Sequence, residues 1–207
     1  MIAEELERLA SHELIARFSR SLAKHPGREI AAVEPTRLAA IVLALRARDD
    51  GEPELLMIKR AEAEGDPWSG HIACPGGRKE PQDRDLAETA VRETREETGI
   101  DIDLDGRLLG HLDDVSPTSP YLPPIVIRPY VALVRSGVIV TPSDEVASAF
   151  WVPLSSLREA SGWRQGDVEA RGGSLRVSTF QYGEHVVWGL TERVLRQFLD
   201  YLDASQP

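Results

Sequence analysis

The segment from Gly76 to Ile100, GGRKEPQDRDLAETAVRETREETGI, restricts this chain more than any other. It opens on paired glycines, where the backbone turns freely, and closes on Gly99, a residue suited to the left-handed cap of a helix. Between them Leu86, Ala87, Ala90, Val91 and Thr94 recur at helical spacing, while Glu and Arg fill the other side. The pattern predicts a helix over residues 83–98, with Asp83 as its N-cap and Ile100 making the apolar contact that follows such a C-cap.

On that helix Glu93, Glu96 and Glu97 stand at i, i+3 and i+4, so three carboxylates share one patch of surface. Arg92, four residues before Glu96, is placed to hold it by an ion pair. Glu93 and Glu97 repel one another mildly. A hard divalent cation such as Mg²⁺ or Mn²⁺ prefers oxygen ligands and would relieve that repulsion. The Gly76-Gly77 break can offer a backbone carbonyl as a further hard ligand, because glycine lets the main chain come close. Glu-rich helix faces are most often just solvated. The joint occurrence of paired glycines, an Arg-Glu pair and a Glu-Glu-x-Gly-aliphatic ending favours a metal site instead.

Elsewhere the chain alternates apolar runs with breaks. Ile2, Leu6, Leu9, Ile15, Phe18 and Leu22 describe an amphipathic helix over residues 2–23, with slippage in its middle, ended by His25-Pro26-Gly27. Residues 38–45 and 55–58 read as strands joined by a turn at Asp49-Asp50-Gly51. Residues 61–70 read as a loop, and Pro75-Gly76-Gly77 as another break. Further strands are predicted at 108–112, 125–134, 138–140 and 150–154, with a weaker one at 175–182. Val187, Leu190, Val194, Leu195, Phe198, Leu199 and Leu202 mark a C-terminal amphipathic helix over 185–204. No repeat or linker divides the chain, so residues 1–207 are expected to form one mixed α/β (α+β) domain, with residues 1–30 as a helical extension.

Composition narrows the function. Hydrophobic residues make up 42% and charged residues 28%, an ordinary globular balance. No apolar run approaches the roughly 20 residues of a membrane span. The first residues are acidic where a secretory signal would be basic and then apolar. Cys74 is the only cysteine, so no intrachain disulfide forms, and a cytoplasmic location is expected. The formal net charge of −10 disfavours nucleic acid and anionic membranes as partners. It would also repel a phosphorylated metabolite, unless bound cations reverse the sign inside the site.

The Gly76–Ile100 segment resembles the Nudix box, G-x5-E-x7-R-E-U-x-E-E-x-G-U, where U is a bulky aliphatic residue. Arg92, Glu93, Glu96, Glu97, Gly99 and Ile100 fit. Counted from Gly77, Arg92 arrives one residue late, Asp83 stands at the place of the first glutamate, and Thr94 replaces an aliphatic. The resemblance implies a mixed sheet sandwiched between helices and a diphosphate hydrolase acting on a small nucleotide-type substrate. It implies metal binding by Glu93, Glu96, Glu97 and the Gly76 carbonyl, with Mg²⁺ or Mn²⁺ as cofactor. Arg92, Glu96, Glu97 and the loop residue Glu145 are the candidate catalytic residues, and the identity of the general base stays open among the glutamates. A homodimer is compatible with the sequence.

Upstream, Leu56, Arg60, Ala61, Gly70, Pro75, Gly76 and Gly77 look like the extra signature of the coenzyme A diphosphatase branch, in which the late arginine is also usual. Ile58 stands for its threonine, Gly65 for its second arginine and Cys74 for its phenylalanine, and the spacer is one residue longer. The resemblance makes Arg60 and Gly77 the candidate substrate contacts and coenzyme A or a derivative the first-choice substrate. ADP-ribose, a dinucleoside polyphosphate or a nucleoside triphosphate are the alternatives. Trp68 either stacks on an adenine or anchors its loop. Cys74 is read as a small buried hydrophobe, and His71, His111 and His185 show no ligand spacing. An isoprenoid-diphosphate isomerase would need a positioned cysteine and acid, and a non-enzymatic regulator would be expected to have lost box carboxylates that this chain retains.

Overall fold

A computed structural model describes residues 2–31, 36–66, 68–117, 124–170 and 173–203. The main sheet is built on β1 (Arg37–Ala47), which runs parallel to β6 (Ile125–Val134) along most of its length. Strand β2 (Pro53–Arg60) turns back beside the end of β1, with Leu45 opposite Leu55. Gly51, at a φ of 88°, makes the intervening turn. On its outer side β2 carries β7 (Val146–Pro153), and the two-residue β3 (Ile72–Ala73) pairs with its end. Strand β5 (Gly106–His111) completes the far edge against β6. The short β4 (Gly76–Arg78) pairs antiparallel with the first half of β1, setting Gly77 opposite Ala40 and Gly76 opposite Ile41.

Strand alternation sends apolar side chains to both faces, and each face has its own core. Leu43, Leu45, Leu55 and Met57 belong to one cluster, which is closed by Phe18 of α2 (Glu13–Lys24) and Phe198 of α6 (Gly189–Asp203). Their rings meet at 5.3 Å. Ala40, Val42, Ala44 and Leu56 face the opposite way and pack with Leu86 and Ala90 of α3 (Leu86–Thr98). A second sheet of β8 (Trp163–Ala170), β9 (Gly173–Tyr182) and β10 (His185–Trp188) lies next to α6. Short helices α4 (Ile102–Asp105) and α5 (Leu154–Arg158) finish the connections. The expected mixed sheet between helices is the observed one. No helix among the described residues is long and apolar enough to cross a membrane.

Several boundaries differ from expectation. The N-terminal helix is two helices, α1 (Ile2–Ala10) and α2, because the chain breaks at Ser11-His12 where the periodicity slips. The C-terminal helix begins at Gly189, not 185, since residues 185–188 pair with β9 as β10. Residues 138–140 are irregular: Val138 turns back on Arg135 and Ile139 is 80% exposed. Gly76 and Gly77 are strand residues, not a bare break. Residue 154, expected to end a strand, instead begins α5.

Candidate active site

Helix α3 begins at Leu86, and its N-cap is Asp85, whose side chain accepts the Glu88 amide. Asp83 therefore does not cap the helix. It is buried one turn outside, where its carboxylate takes Arg92 Nε and Nη2, each at 2.9 Å. The Glu80 amide and the Thr89 hydroxyl also donate to Asp83, at 2.9 Å each. This bidentate grip, with its surrounding donors, holds the Asp83 carboxyl well below the usual carboxylate range.

Arg92 is thereby fixed as a hub. Its Nη2 also donates to the carbonyl of Arg78 at 3.0 Å, which ties the helix to the end of β4. Its Nη1 donates to Glu93 Oε1 and to Glu96 Oε2, at 2.9 Å each. The expected Arg92–Glu96 pair is present, and Glu93 is gripped by the same nitrogen.

The three carboxylates do not share one exposed patch. Only Glu96 is open, its side chain 54% exposed, whereas those of Glu93 and Glu97 are 16% and 4% exposed. Glu97 turns toward the sheet, where its Oε2 accepts the Gly76 amide at 2.8 Å. Arg60, at the end of β2, brings Nη1 to 3.7 Å from Glu97 Oε1. Burial outweighs both contacts and pushes the Glu97 carboxyl up to about 7. Burial also raises Glu93, although Arg92 opposes it. Glu145 is exposed on the loop before β7, close enough to raise Glu93 and Glu97 through its charge. That loop is tied to the end of α3 by the Thr141 amide on the Thr98 carbonyl (2.8 Å) and the Ser143 amide on the Glu97 carbonyl (3.1 Å).

The glycines fit this arrangement differently. A Cβ on Gly77 would stand 2.5 Å from the Glu93 carboxyl carbon, so the bare backbone there makes room for the carboxylate. Gly76 has a φ of 149° and lies directly against the backbone of Ala40 and Ile41, so its constraint is the fold of β1 and β4. Gly99 ends α3 in the left-handed conformation at a φ of 72°.

As a donor set for a divalent cation, Glu93, Glu96, Glu97 and the Gly76 carbonyl are all hard oxygens, and two of the carboxylates are desolvated enough to gain from a positive charge. The donor chemistry fits such an ion. The side chains are not drawn into a closed cage: among the described residues no three His, Cys, Asp or Glu converge for one. The Arg92 guanidinium binds Glu93 and Glu96, and the Gly76 amide binds Glu97.

Of the remaining candidates, Cys74 is buried and its thiol is pushed up to about 12 by that burial. The backbone of Trp68 helps to shape its loop, its amide on Asp66 and its carbonyl taking the His71 amide. His71 packs against Trp188 at 4.5 Å and His185 stacks on Phe150 at 3.9 Å, which the sequence had given no reason to expect. Two open clefts of about 920 and 550 Å³ share no residue with the carboxylate site.

A family model described as "NUDIX domain" matches residues 35–171. An "Uncharacterized Nudix hydrolase NudL" of Photorhabdus laumondii is 32% identical over 186 residues, covering 89% of this chain and 94% of the relative. A protein of the same name from Yersinia pestis is 32% identical over 161 residues, 77% of each chain. Among solved structures, a MutT/nudix family protein from Enterococcus faecalis aligns with a TM-score of 0.56 at 18% identity, covering 97% of this chain and 74% of that one. A C. elegans Ap4A hydrolase binary complex aligns with a TM-score of 0.54 at 19% identity, over 82% of this chain and 99% of that one.

Proposed function

The chain belongs to the Nudix family as a Nudix-type pyrophosphatase, and we propose that it splits the diphosphate of coenzyme A or a close derivative. The observation that carries the reading is the meeting of two sequence signatures at one residue. Arg60, from the segment resembling the coenzyme A branch, stands 3.7 Å from Glu97 of the box.

Glu93, Glu96, Glu97 and the Gly76 carbonyl would hold Mg²⁺ or Mn²⁺. When bound, such an ion neutralises phosphate charge and lowers the pKa of an attacking water. The acidic site thus becomes able to admit an anion despite the net charge of −10. Arg92, fixed by Asp83, orients Glu93 and Glu96. Arg60 offers a guanidinium to a phosphate oxygen, and the bare backbone of Gly77 leaves room for the Glu93 carboxylate. A carboxylate must take the proton of the attacking water. Glu96, Glu97 and Glu145 are the groups within reach of that role, and Glu145 is the one whose side chain is not committed to the helix network. We propose the cytoplasm as the location of this reaction, as expected from the single cysteine.

The test is purified protein with Mg²⁺ or Mn²⁺ against coenzyme A, ADP-ribose, a dinucleoside polyphosphate and nucleoside triphosphates, with products resolved by mass. Coenzyme A should yield 4′-phosphopantetheine and adenosine 3′,5′-bisphosphate. Brisk hydrolysis of another member of the panel, with coenzyme A untouched, would reject the substrate and keep the chemistry.

A further inference from the structure

Arg60 is held by two carboxylates, and one of its nitrogens has no partner among the described residues. Its Nη2 donates to Asp66 Oδ2 at 2.8 Å, and its Nη1 lies 3.7 Å from Glu97 Oε1. Its Nε is buried without a hydrogen-bond partner among the described residues. Closed off in this way, that nitrogen is not the point of entry for a ligand, and the exposed 27% of the side chain lies on its other atoms.

Asp66 is itself placed with care. Its Oδ1 accepts the Trp68 amide at 3.0 Å, and its carbonyl accepts the Ser69 amide at 3.1 Å. One carboxylate oxygen therefore folds the loop, and the other faces the arginine. The loop is further tied to β2, since the Arg60 amide donates to the His71 carbonyl at 3.0 Å.

We infer that Asp66 is a positioning residue that holds the Arg60 guanidinium beside Glu97, where its exposed part can meet a phosphate oxygen of the substrate. The inference rests on the diphosphatase reading above and deepens it. A long arginine side chain loses much rotamer freedom when it binds, and Asp66 removes that cost in advance. A phosphate oxygen is the acceptor that a diphosphate substrate brings to this place. Through Oδ2 the effect of Asp66 falls on binding and passes through Arg60, whereas Oδ1 serves the loop.

The two oxygens of Asp66 allow a clean test. In Asp66→Asn the amide oxygen can keep the Trp68 bond and the loop, while its NH₂ opposes the guanidinium donor. Wild type, Asp66→Asn, Asp66→Ala, Arg60→Ala and the double variant Asp66→Asn/Arg60→Ala are compared in steady-state kinetics on the preferred diphosphate. Binding of methylenediphosphonate with Mg²⁺ is measured by calorimetry alongside. Asp66→Asn should raise KM and the diphosphonate Kd about tenfold while kcat and thermal stability hold. Asp66→Ala should do at least as much to KM and Kd, and the double variant should be no worse than Arg60→Ala alone. Unchanged KM and Kd in Asp66→Asn, or additive losses in the double variant, would overturn the role of Asp66 while leaving an active hydrolase. A wild-type protein that turns over no diphosphate would instead remove the hydrolase reading on which this one stands.

Discussion

Asp83 and Arg92 face each other through two hydrogen bonds of 2.9 Å, nine residues apart, with the Asp83 side chain 2% exposed. The pair makes the carboxylate site a supported structure, because the same guanidinium reaches Glu93, Glu96 and the Arg78 carbonyl. Removing Asp83 takes two charge-assisted hydrogen bonds from the guanidinium, while Glu93, Glu96 and the Arg78 carbonyl still hold it. Asp83→Ala should therefore cost about 2 kcal/mol in a denaturant titration, and activity should fall as Arg92 loosens. Because the native state depresses the Asp83 pKa, its contribution is present above the unfolded value of roughly 4 and is lost as pH falls below it. Wild type should accordingly lose its advantage over Asp83→Ala in strong acid. Equal stability of the two at pH 7 would show that the grip contributes nothing.

Glu97 and Glu96 are expected to differ in a way that their adjacency hides. Glu97 is buried on Gly76 and Arg60, while Glu96 is half exposed and held by Arg92 alone. Loss of one strong electrostatic contact to a transition state typically costs about 10²–10³ in rate. Glu97→Gln should reach that range, and Glu96→Gln should fall at or below its lower end. Near-normal kcat/KM in both variants would leave the box without a catalytic role.

Burial raises Glu97 to about 7, so at pH 6 much of it carries a proton before a cation arrives. An acid whose native pKa is raised stabilises the fold below its unfolded value and loses that contribution as pH rises through the native one. The cation-free protein should thus weaken between about pH 4.5 and 7, and Mg²⁺ or Mn²⁺ should restore it most above that window. Cation binding at pH 6 should release up to about one proton. Calorimetry in buffers of different ionisation enthalpy reads that release directly, and Glu97→Gln should abolish it. Release that survives in Glu97→Gln would assign the proton elsewhere.

Much of this was legible in the sequence, and the gaps have physical causes. The second half of α3 could be read because Gly99 and the Leu86–Ala90–Thr94 stripe encode its end and its buried face locally. The role of Asp83 could not, because its partner lies across a turn that follows no helical period. Nor could the burial of Glu97, which depends on β4 pairing with β1 and so bringing the Gly76 amide to the helix. Strand β8 was missed for a plainer reason: Arg164, Gln165, Asp167 and Glu169 are exposed, and it is pairing with β9 that makes the segment a strand. Strand β10 was absorbed into the helix after it because Val187 continues that helix's apolar spacing. The branch-like segment gave Arg60 as a candidate, but the Asp66 contact emerges only from the folded loop.

Cys74 should behave as core. Its thiol, pushed up to about 12 by burial, is neutral at physiological pH and screened from solvent. Thiol reagents should leave the native protein unmodified at pH 7.5 and label it fully in denaturant. Cys74→Ala should keep kcat/KM and lose about 1 kcal/mol of stability. Rapid labelling of the native protein coupled to loss of activity would contradict the assignment.

The paired glycines supply the sharpest separation of fold from function, since they stand side by side and are constrained by different neighbours. An added Cβ at Gly77 meets only the end of a side chain, at 2.5 Å from the Glu93 carboxyl carbon, with no backbone among its nearest contacts. Glu93 can swing away, so Gly77→Ala should fold with nearly native stability. Displacing Glu93 removes a carboxylate from the donor set, and cation affinity and kcat should both drop by at least about tenfold. At Gly76 the added Cβ meets the backbone of Ala40 and Ile41, and the φ of 149° is itself unfavourable for any other residue. Gly76→Ala should therefore strain the β1–β4 pairing and lower stability before any catalytic measurement is possible. Thermal unfolding and cation titration of the two variants, run together, check both halves. A Gly77→Ala protein that binds the cation like wild type would show that the space beside Glu93 is not what the site requires of that glycine.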